Sequence, residues 1–389
     1  MRELKKFKIE GDKVKRDKKI LLIATVQSHI CQFHRPLVAM LHEHGCEVHV
    51  AARNNLAEKN GLKLDFVEQV FDVPFQRSPF SPKNLGAYKQ LKKIIDEGSY
   101  DVIHCNTPVG GVVGRLAARK SRKRGTKVFY TAHGFHFYQG APKKNWLIWY
   151  PVEKFMCRHT DKLITITQED YDLASAKFPT QVERIHGVGA NSAKYRKLSE
   201  AECAALRCEL GYAEDEKILL CTGELLPNKN QITAIRAMDA LRKKQPNVRL
   251  LLAGNGPTLP ELQAEVTALG LQEYVEFLGY RTDLERYANI ADVIVSCSYR
   301  EGLPMNIVEG MLLGKPVAAS YNRGHRELIV PDVTGYMVSP ADADAFAERI
   351  SILLGNSALT GRMGHAGYEK AQLYADTNVR QELQAVYEL

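Results

Sequence analysis

Two glutamates in the segment SCSYREGLPMNIVEGMLLGKPVAAS are the residues best placed by type and spacing to do chemistry. Glu301 and Glu309 are separated by seven residues, among them Gly302 and Pro304. Pro304 pre-sets φ and suits the start of a helix. That places Glu301 in a loop just before a helix N-terminus and Glu309 a turn or more inside the helix. Free amides and the dipole at a helix start favour an anion such as a phosphate. Carboxylates accept hydrogen bonds from sugar or ribose hydroxyls. Together they suit a nucleotide that carries a sugar. Spacing alone leaves a plainer alternative open, since charged side chains are mostly exposed and solvated.

Other residues could join them. Lys229 lies in the loop of LLCTGELLPNKNQITAIRAM, after Gly223, where a cation could face an anion. Gly254 and Gly256, in AGNGP, would let backbone come close to a ligand. Gly279, Tyr280 and Arg281 form a further loop after an apolar run. In the first half, VFYTAHGFHFYQG carries His133 and His136, and IATVQSHICQFHRP carries Thr25, Ser28 and His29. His104 and Asn106 close the run VIHCNTP. Each of these also has an ordinary reading as a turn, surface or core residue.

The elements that must hold these residues follow from the hydrophobic pattern. Short β-branched runs at 20–26, 47–51, 101–105, 127–131 and 162–167 alternate with helical patterns at 33–44, 84–97, 110–122, 145–159 and 169–177. The alternation restarts with strands at 217–222, 249–253, 275–278, 293–297 and 316–319, and helices at 229–244, 259–269, 305–313 and 341–354. Such alternation builds parallel sheets covered by helices. Two series in 389 residues predict an α/β protein of two doubly wound, Rossmann-like domains, joined near GVGANSAKYRK. The expected domains are 1–190, with a polar basic tail at 1–18, and 191–370, followed by a terminal helix at 371–389. In such folds ligands bind beyond the C-terminal ends of the strands.

The motifs taken in order resemble the retaining glycosyltransferases of the GT-B fold. EGLPMNIVEG with GKPVAAS is similar to the E-x7-E segment of the large nucleotide-sugar-dependent group sometimes numbered as the fourth. LLCTGELLPNKNQITAIRAM, VRLLLAGNGP and VEFLGYRTDLERYANIADVIVSCS resemble the stretches that precede it, closely over 215–340 and more loosely over 18–190. The resemblance implies two domains facing a cleft, with the last helix crossing back to the first. It implies that Glu309 binds the donor ribose, that Glu301 meets the transferred sugar and that Lys229 pairs with the diphosphate. Gly223, Gly254, Gly256, Tyr280, Arg281, Gly302 and Leu303 would line the donor site. His133, in AHGFHF, matches the histidine lining the family's catalytic cleft, with His136 beside it. Two departures stand out. Glu224 occupies a position where many members carry Arg, so a second diphosphate cation must come from elsewhere, with Arg35 and Arg281 as candidates. The first strand is followed by IATVQSH, without the glycine pair many members have. The GEL at 223–225 is shared with an exopolysaccharide-related branch, which implies a lipid-linked saccharide on polyprenyl diphosphate as acceptor in bacterial surface polysaccharide synthesis.

Charge is unevenly placed. Residues 1–190 carry 32 Lys+Arg against 19 Asp+Glu, a net of +13, and the remainder carries a net of −5. The run 115–127 holds seven basic residues and no acid, and Lys143 and Lys144 stand beside Trp146, Leu147, Ile148, Trp149 and Tyr150. A helix with basic and aromatic faces suits the inner face of an anionic membrane, although the aromatic cluster could equally be core. No nucleic-acid-binding signature is present. The first twenty residues lack a signal-peptide core, and the eight cysteines have no metal spacing. These features predict a cytoplasmic, peripherally membrane-associated enzyme that uses a UDP- or GDP-type sugar and no cofactor or metal. Two alternatives are a nucleotide-sugar 2-epimerase of the same fold and a non-catalytic donor-binding subunit. A nicotinamide-dependent dehydrogenase is disfavoured, because G-x-G-x-x-G is missing after the first strand.

Overall fold

The computed structural model describes residues 18–58, 61–79 and 81–389, so the basic tail, apart from Lys18, lies outside the described residues. Its strands are β1 (Lys19–Val26), β2 (Glu47–Arg53), β3 (Gln69–Asp72), β4 (Val102–Asn106), β5 (Lys127–Ala132), β6 (Lys162–Thr165), β7 (Gln181–Arg184), β8 (Lys217–Thr222), β9 (Val248–Ala253), β10 (Val275–Gly279), β11 (Val293–Ser296), β12 (Val317–Ser320) and β13 (Gly335–Val338). The first seven form one sheet in the order β3-β2-β1-β4-β5-β6-β7; the other six form a second in the order β10-β9-β8-β11-β12-β13. Neighbours pair in parallel, as β1 does with β2 and β4, and β8 with β9 and β11. In each sheet the order reverses beside the earliest strand, the arrangement of doubly wound folds.

Packing divides the chain into two compact units, 1–129 and 130–389, with the division inside β5. In the first unit β1 is the centre, and Ile20 to Ala24 are wholly buried. In the second unit the sheet β8–β13 has a core on both faces. Leu219 and Cys221 of β8 pack with Leu250 and Leu252 of β9 on one side. Ile218, Leu220 and Leu251 pack on the other, with Ile307, Val308 and Met311 of the Met305–Leu312 helix. The period of two is what a strand buried on both faces requires.

The second unit also holds β6 and β7, and charged side chains tie them to the helices of the second sheet. Arg323 NH2 meets Asp170 Oδ2 at 2.5 Å, and Arg184 NH2 meets Glu327 Oε1 at 3.0 Å. His186 Nδ1 lies 2.6 Å from Glu382 Oε1. Lys162 of β6 donates to the Val386 carbonyl at 2.7 Å, so the end of the Asp376–Tyr387 helix is seated on the start of that strand. The eight cysteines, all among the described residues, form no disulfide; six are buried and Cys208 is exposed. Among the described residues, no helix is long and apolar enough to cross a membrane.

Candidate functional site

The second unit gathers the E-x7-E segment, Lys229 and the His133 loop at one place. The Met305–Leu312 helix begins directly after Pro304, with no side chain capping its first turn. Glu301 stands in the loop before it. Lys229 Nζ donates to Glu301 Oε1 at 2.7 Å, and both side chains keep some solvent contact (25% and 13% exposed). An ion pair that is still wet at the edge of a helix N-terminus can be exchanged: an arriving anion can take the ammonium, and a hydroxyl can take the carboxylate.

The backbone around the pair is fixed by loop-to-loop contacts. Tyr299 N donates to the Asn228 carbonyl, and Asn228 Nδ2 to the Arg300 carbonyl, both at 2.9 Å. Asn230 is in the left-handed region (φ 54), and its amide donates to the Cys297 and Pro340 carbonyls. Gly254 has φ +150, and a Cβ there would lie 1.9 Å from the Gly223 carbonyl oxygen. At Gly256 a Cβ would lie 2.1 Å from the Leu225 carbonyl oxygen. The structure therefore gives these two glycines a use the sequence did not suggest: they let the β9 loop lie against the β8 loop that carries Gly223 and Lys229.

Gly302 plays a similar part toward His133. A Cβ on Gly302 would sit 2.6 Å from the His133 carbonyl oxygen, so the histidine loop rests on the residue that follows Glu301. Leu303 packs toward Gly187, where an added Cβ would come within 2.4 Å of Leu303 Cδ2. His136 rests 5.1 Å from the Trp149 ring. Burial, then the Arg300 charge, lowers its pKa. His325 backs the site, buried, with Nε2 3.1 Å from Ser296 Oγ and Nδ1 2.6 Å from the Ser320 carbonyl. Burial pushes its pKa down to about 4, so it is a neutral support.

Glu309 lies on the Met305–Leu312 helix, half-buried, and shares a small cavity with Tyr195, Thr222, Leu284 and Asn306. Burial raises its carboxyl pKa to about 7, with the nearby Tyr195 and the charge of Lys194 acting the other way. Asn306 Nδ2 donates to the Thr222 carbonyl at 3.1 Å, which anchors this helix to the end of β8.

Tyr280 is exposed, as a residue open to a ligand would be. Arg281 is not available in the same way: it forms a fork to Asp283, with Nε at 2.9 Å and NH2 at 2.6 Å, and stacks over Tyr287. Arg35, the other candidate cation, lies 3.5 Å from Asp65 and over the Phe66 ring. Glu224 is exposed.

In the first unit the polar residues at the strand ends turn inward. Thr25 and Ser28 are buried. Thr25 Oγ1 lies 2.7 Å from Thr107 Oγ1, and Ser28 N donates to Asn55 Oδ1 at 3.0 Å. His34 Nε2 lies 3.0 Å from Asn106 Oδ1, and burial lowers the pKa of this histidine. His104 is buried against Phe129. Thr107 has φ 62, an uncommon conformation for a β-branched residue, at the point where β4 gives way to the Pro108–Ala117 helix. Of the seven basic residues in 115–127, Arg115 is wholly buried, with Nε on the Gly111 carbonyl at 2.9 Å.

Comparisons with known proteins give the family and the fold. Residues 204–370 match the family Glycosyl transferases group 1, and residues 19–167 match Glycosyl transferase 4-like. The chain is 44% identical over 372 residues to the Bacillus subtilis (strain 168) protein named "Putative glycosyltransferase EpsD", covering 95% of this chain and 96% of that one. The chain belongs to the group 1 glycosyltransferases. This glycosyltransferase is also 25% identical, over 75% of its length and 77% of the relative's, to an Escherichia coli UDP-Gal:alpha-D-GlcNAc-diphosphoundecaprenol alpha-1,3-galactosyltransferase. Its fold is that of Anabaena Alr3699/HepE, solved with UDP and glucose: TM-score 0.76 at 23% identity, over 96% of this chain and 100% of that one. The architecture of this glycosyltransferase is therefore GT-B, with two parallel-sheet, Rossmann-like domains.

Sequence reasoning missed three residues that shape the site. Tyr195 sits in the polar stretch AKYRK, and nothing there marks it as facing Glu309. Arg323 and His325 follow β12, and neither belongs to a motif read from the sequence. Arg323 is buried and donates to the Phe135 carbonyl at 2.9 Å, steadying the loop that carries His133.

Proposed function

We propose that this glycosyltransferase moves a sugar, with retention of anomeric configuration, from a UDP- or GDP-type nucleotide sugar to a saccharide carried on a polyprenyl diphosphate lipid. The pathway would be bacterial surface polysaccharide synthesis. The observation that carries the proposal is the wet Lys229–Glu301 pair, held just before an uncapped helix start with Glu309 on the same helix. On this reading Lys229 leaves Glu301 for the diphosphate as donor binds, and its charge offsets that of the leaving group. Glu301 is then released to accept from hydroxyls of the transferred sugar, and Glu309 accepts from the ribose. His133 stands at the transferred sugar, with its loop resting on Gly302. Gly223, Gly254, Gly256, Gly302 and Leu303 shape the donor walls, and Tyr280 meets the base. Arg281 takes part only if the ligand draws it from Asp283. With Lys229 and the helix amides meeting the leaving charge, the reaction as proposed uses no metal ion or other cofactor.

The domains of the proposal are 1–190 for the acceptor and 191–370 for the donor, with 371–389 returning to the first. A lipid-linked acceptor is supported by the diphosphoundecaprenol substrate named for the Escherichia coli relative. Location at the inner face of an anionic membrane is supported by the helix Lys143–Met156. Its Trp146 and Tyr150 pack inward against Phe137. Its Leu147 (78% exposed), Ile148, Val152 and Phe155 (51% exposed) form an outward stripe flanked by Lys143, Lys144, Lys154 and Arg158. Exposed apolar side chains rimmed by cations suit an anionic bilayer surface.

Purified protein given a panel of nucleotide sugars and membranes bearing lipid-linked saccharides tests the reading. The expected product is an extended lipid-linked saccharide whose new linkage keeps the donor's anomeric configuration. An epimerised nucleotide sugar, or an inverted linkage, would refute it.

A further inference from the structure

We infer that Asp170 and Arg323 form a two-ended clamp on the backbone of Phe135 that sets where His133 stands relative to Glu301, which makes them positioning residues for the sugar-transfer step. The inference rests on the donor reading of the site and extends it to two side chains outside the E-x7-E segment and the histidine motif.

Phe135 follows His133 by two residues, in the loop after β5. Its amide N donates to Asp170 Oδ2 at 3.2 Å, and its carbonyl accepts from Arg323 NH1 at 2.9 Å. The two clamping side chains meet each other, with Arg323 NH2 2.5 Å from Asp170 Oδ2. A hydroxyl closes the circuit. Arg323 NH2 also donates to Thr167 Oγ1 at 3.0 Å, and the same oxygen accepts from Asp170 N at 3.4 Å, capping the Gln168–Lys177 helix. Asp170, Arg323 and Thr167 are all buried. The Phe135 ring stacks on Phe137 at 4.7 Å, so side chain and backbone of this residue are both held.

The residue after Arg323 reaches the Glu301 loop. A Cβ on Gly324 would lie 2.7 Å from Glu301 Cβ and from the Gly302 carbonyl oxygen. Gly134, between His133 and Phe135, has φ +118, and a Cβ there would lie 3.4 Å from Gly302 Cα and 3.7 Å from Arg323 NH1. Two neighbouring residues at the start of the Arg323–Leu328 helix thus hold both loops, the histidine loop by a side chain and the Glu301 loop by backbone contact.

Burial pushes the Asp170 carboxyl pKa up, and the charge of Arg323 is the strongest force drawing it back. Filling the space of a buried ion pair with apolar side chains is often neutral or favourable for stability. Apolar side chains cannot supply an acceptor and a donor aimed at the two ends of one residue's backbone. A misplacement of about 1 Å at a reacting centre costs about 100-fold in rate. A clamp behind His133 therefore bears on kcat, while the nucleotide is held by other residues. The pair Arg184–Glu327 offers a contrast. It is 3.0 Å apart, and Glu327, on the Arg323 helix, also accepts from Gln168 N at the start of the Asp170 helix. None of the hydrogen bonds of Arg184 or Glu327 among the described residues goes to the histidine loop.

Arg323→Lys keeps the charge but loses the planar fork that serves Phe135, Asp170 and Thr167 together. Asp170→Asn keeps the size and removes the charge. Full-length proteins are assayed for transfer from a panel of UDP- and GDP-sugars to membranes bearing lipid-linked saccharides, well below their melting temperatures. Binding of UDP and GDP is measured by calorimetry. Each variant should lose about 100-fold in kcat, with KM for the nucleotide sugar and nucleotide affinity within about threefold of wild type. The double variant should lose no more than the weaker single one. Arg184→Lys should lower the melting temperature and keep wild-type kcat. If the clamp variants do not fold, Thr167→Val removes one bond of the circuit and should lower kcat severalfold with affinity unchanged. Wild-type kcat in the folded clamp variants, an equal loss of kcat in Arg184→Lys, or a fall in nucleotide affinity as large as that in kcat overturns the inference. Wild type that transfers from none of the nucleotide sugars overturns the donor reading, and the inference with it.

Discussion

The loops that follow the strands of residues 1–129 and those of residues 130–389 carry similar residue types but use them differently. In the first unit, Thr25, Ser28, His34 and Asn106 are buried and bonded to one another or to Thr107 and Asn55. In the second, Lys229 and Glu301 are bonded to each other yet remain in contact with water. A polar side chain at the end of a parallel strand is thus an ambiguous sign. What separates scaffold from site is whether its partner can be exchanged for a ligand without leaving a buried group unsatisfied.

Substitutions on the two sides should therefore break different things. The largest effect is expected at Lys229. Lys229→Ala should lower kcat by about 10²–10³-fold, the usual cost of removing a preorganised charge from a developing one, with a melting temperature close to wild type. A large fall in melting temperature would move Lys229 to the scaffold side of the comparison. Next comes Asn55→Ala in the first unit. It leaves Ser28 N without the acceptor it has at 3.0 Å, at a cost of about 1–3 kcal/mol of stability by denaturant unfolding. Nucleotide affinity should stay as it was, and a selective loss of affinity would blur the distinction.

Glu309 sharpens the comparison, because it is half-buried and, in the proposed function, accepts from the ligand. Its folded pKa of about 7 stands above the ordinary 4.5. A proton is therefore bound more tightly in the folded state, and the associated stability is present below pH 4.5 and lost as pH rises through about 7. Ligand-free wild type should lose melting temperature relative to Glu309→Gln across that window. Nucleotide binding should strengthen over the same window, because the ionised carboxylate is the better acceptor. The smallest effect is expected at Phe155→Ser, which should weaken recruitment to vesicles containing anionic lipid by a few-fold and leave solution activity on a soluble acceptor unchanged. Equal recruitment of both proteins would take the outward stripe out of the membrane proposal.

Much of this was legible in the sequence, and the exceptions have physical causes. The central strands were found because they are continuous apolar runs; β8 was read at its observed bounds. The missed strands β3, β7 and β13 lie at sheet edges, where QVFD and QVER are too exposed to show a buried pattern. The helix Glu200–Leu210 buries no residue fully, so it gives little periodic signal, although its Ser199–Glu202 capping box was there to be seen. The pattern at 33–44 is the helix Arg35–Glu43, and the short helix ahead of it, Gln27–Phe33, was missed; the two are separated at His34, ahead of Pro36. In the candidate site, Lys229, Glu301 and Glu309 were singled out through the motif and its resemblance, and the structure pairs Lys229 with Glu301 and places Glu309 on the helix that follows. Tyr195 was not, because what brings it into the same cavity as Glu309, more than a hundred positions away, is the fold and no local pattern.

The seat of the Asp376–Tyr387 helix on β6 has a consequence for biosynthesis. The Lys162 ammonium and the Val386 carbonyl are 224 residues apart in the chain. At ribosomal speeds of about 5–20 residues per second, on the order of 10–50 seconds separate the synthesis of the two ends of that contact. During that interval the start of β6 emerges and can pair with its sheet, but the helix that covers it does not yet exist. The nascent protein must carry an incompletely covered sheet through that interval, until the helix that closes it has been made.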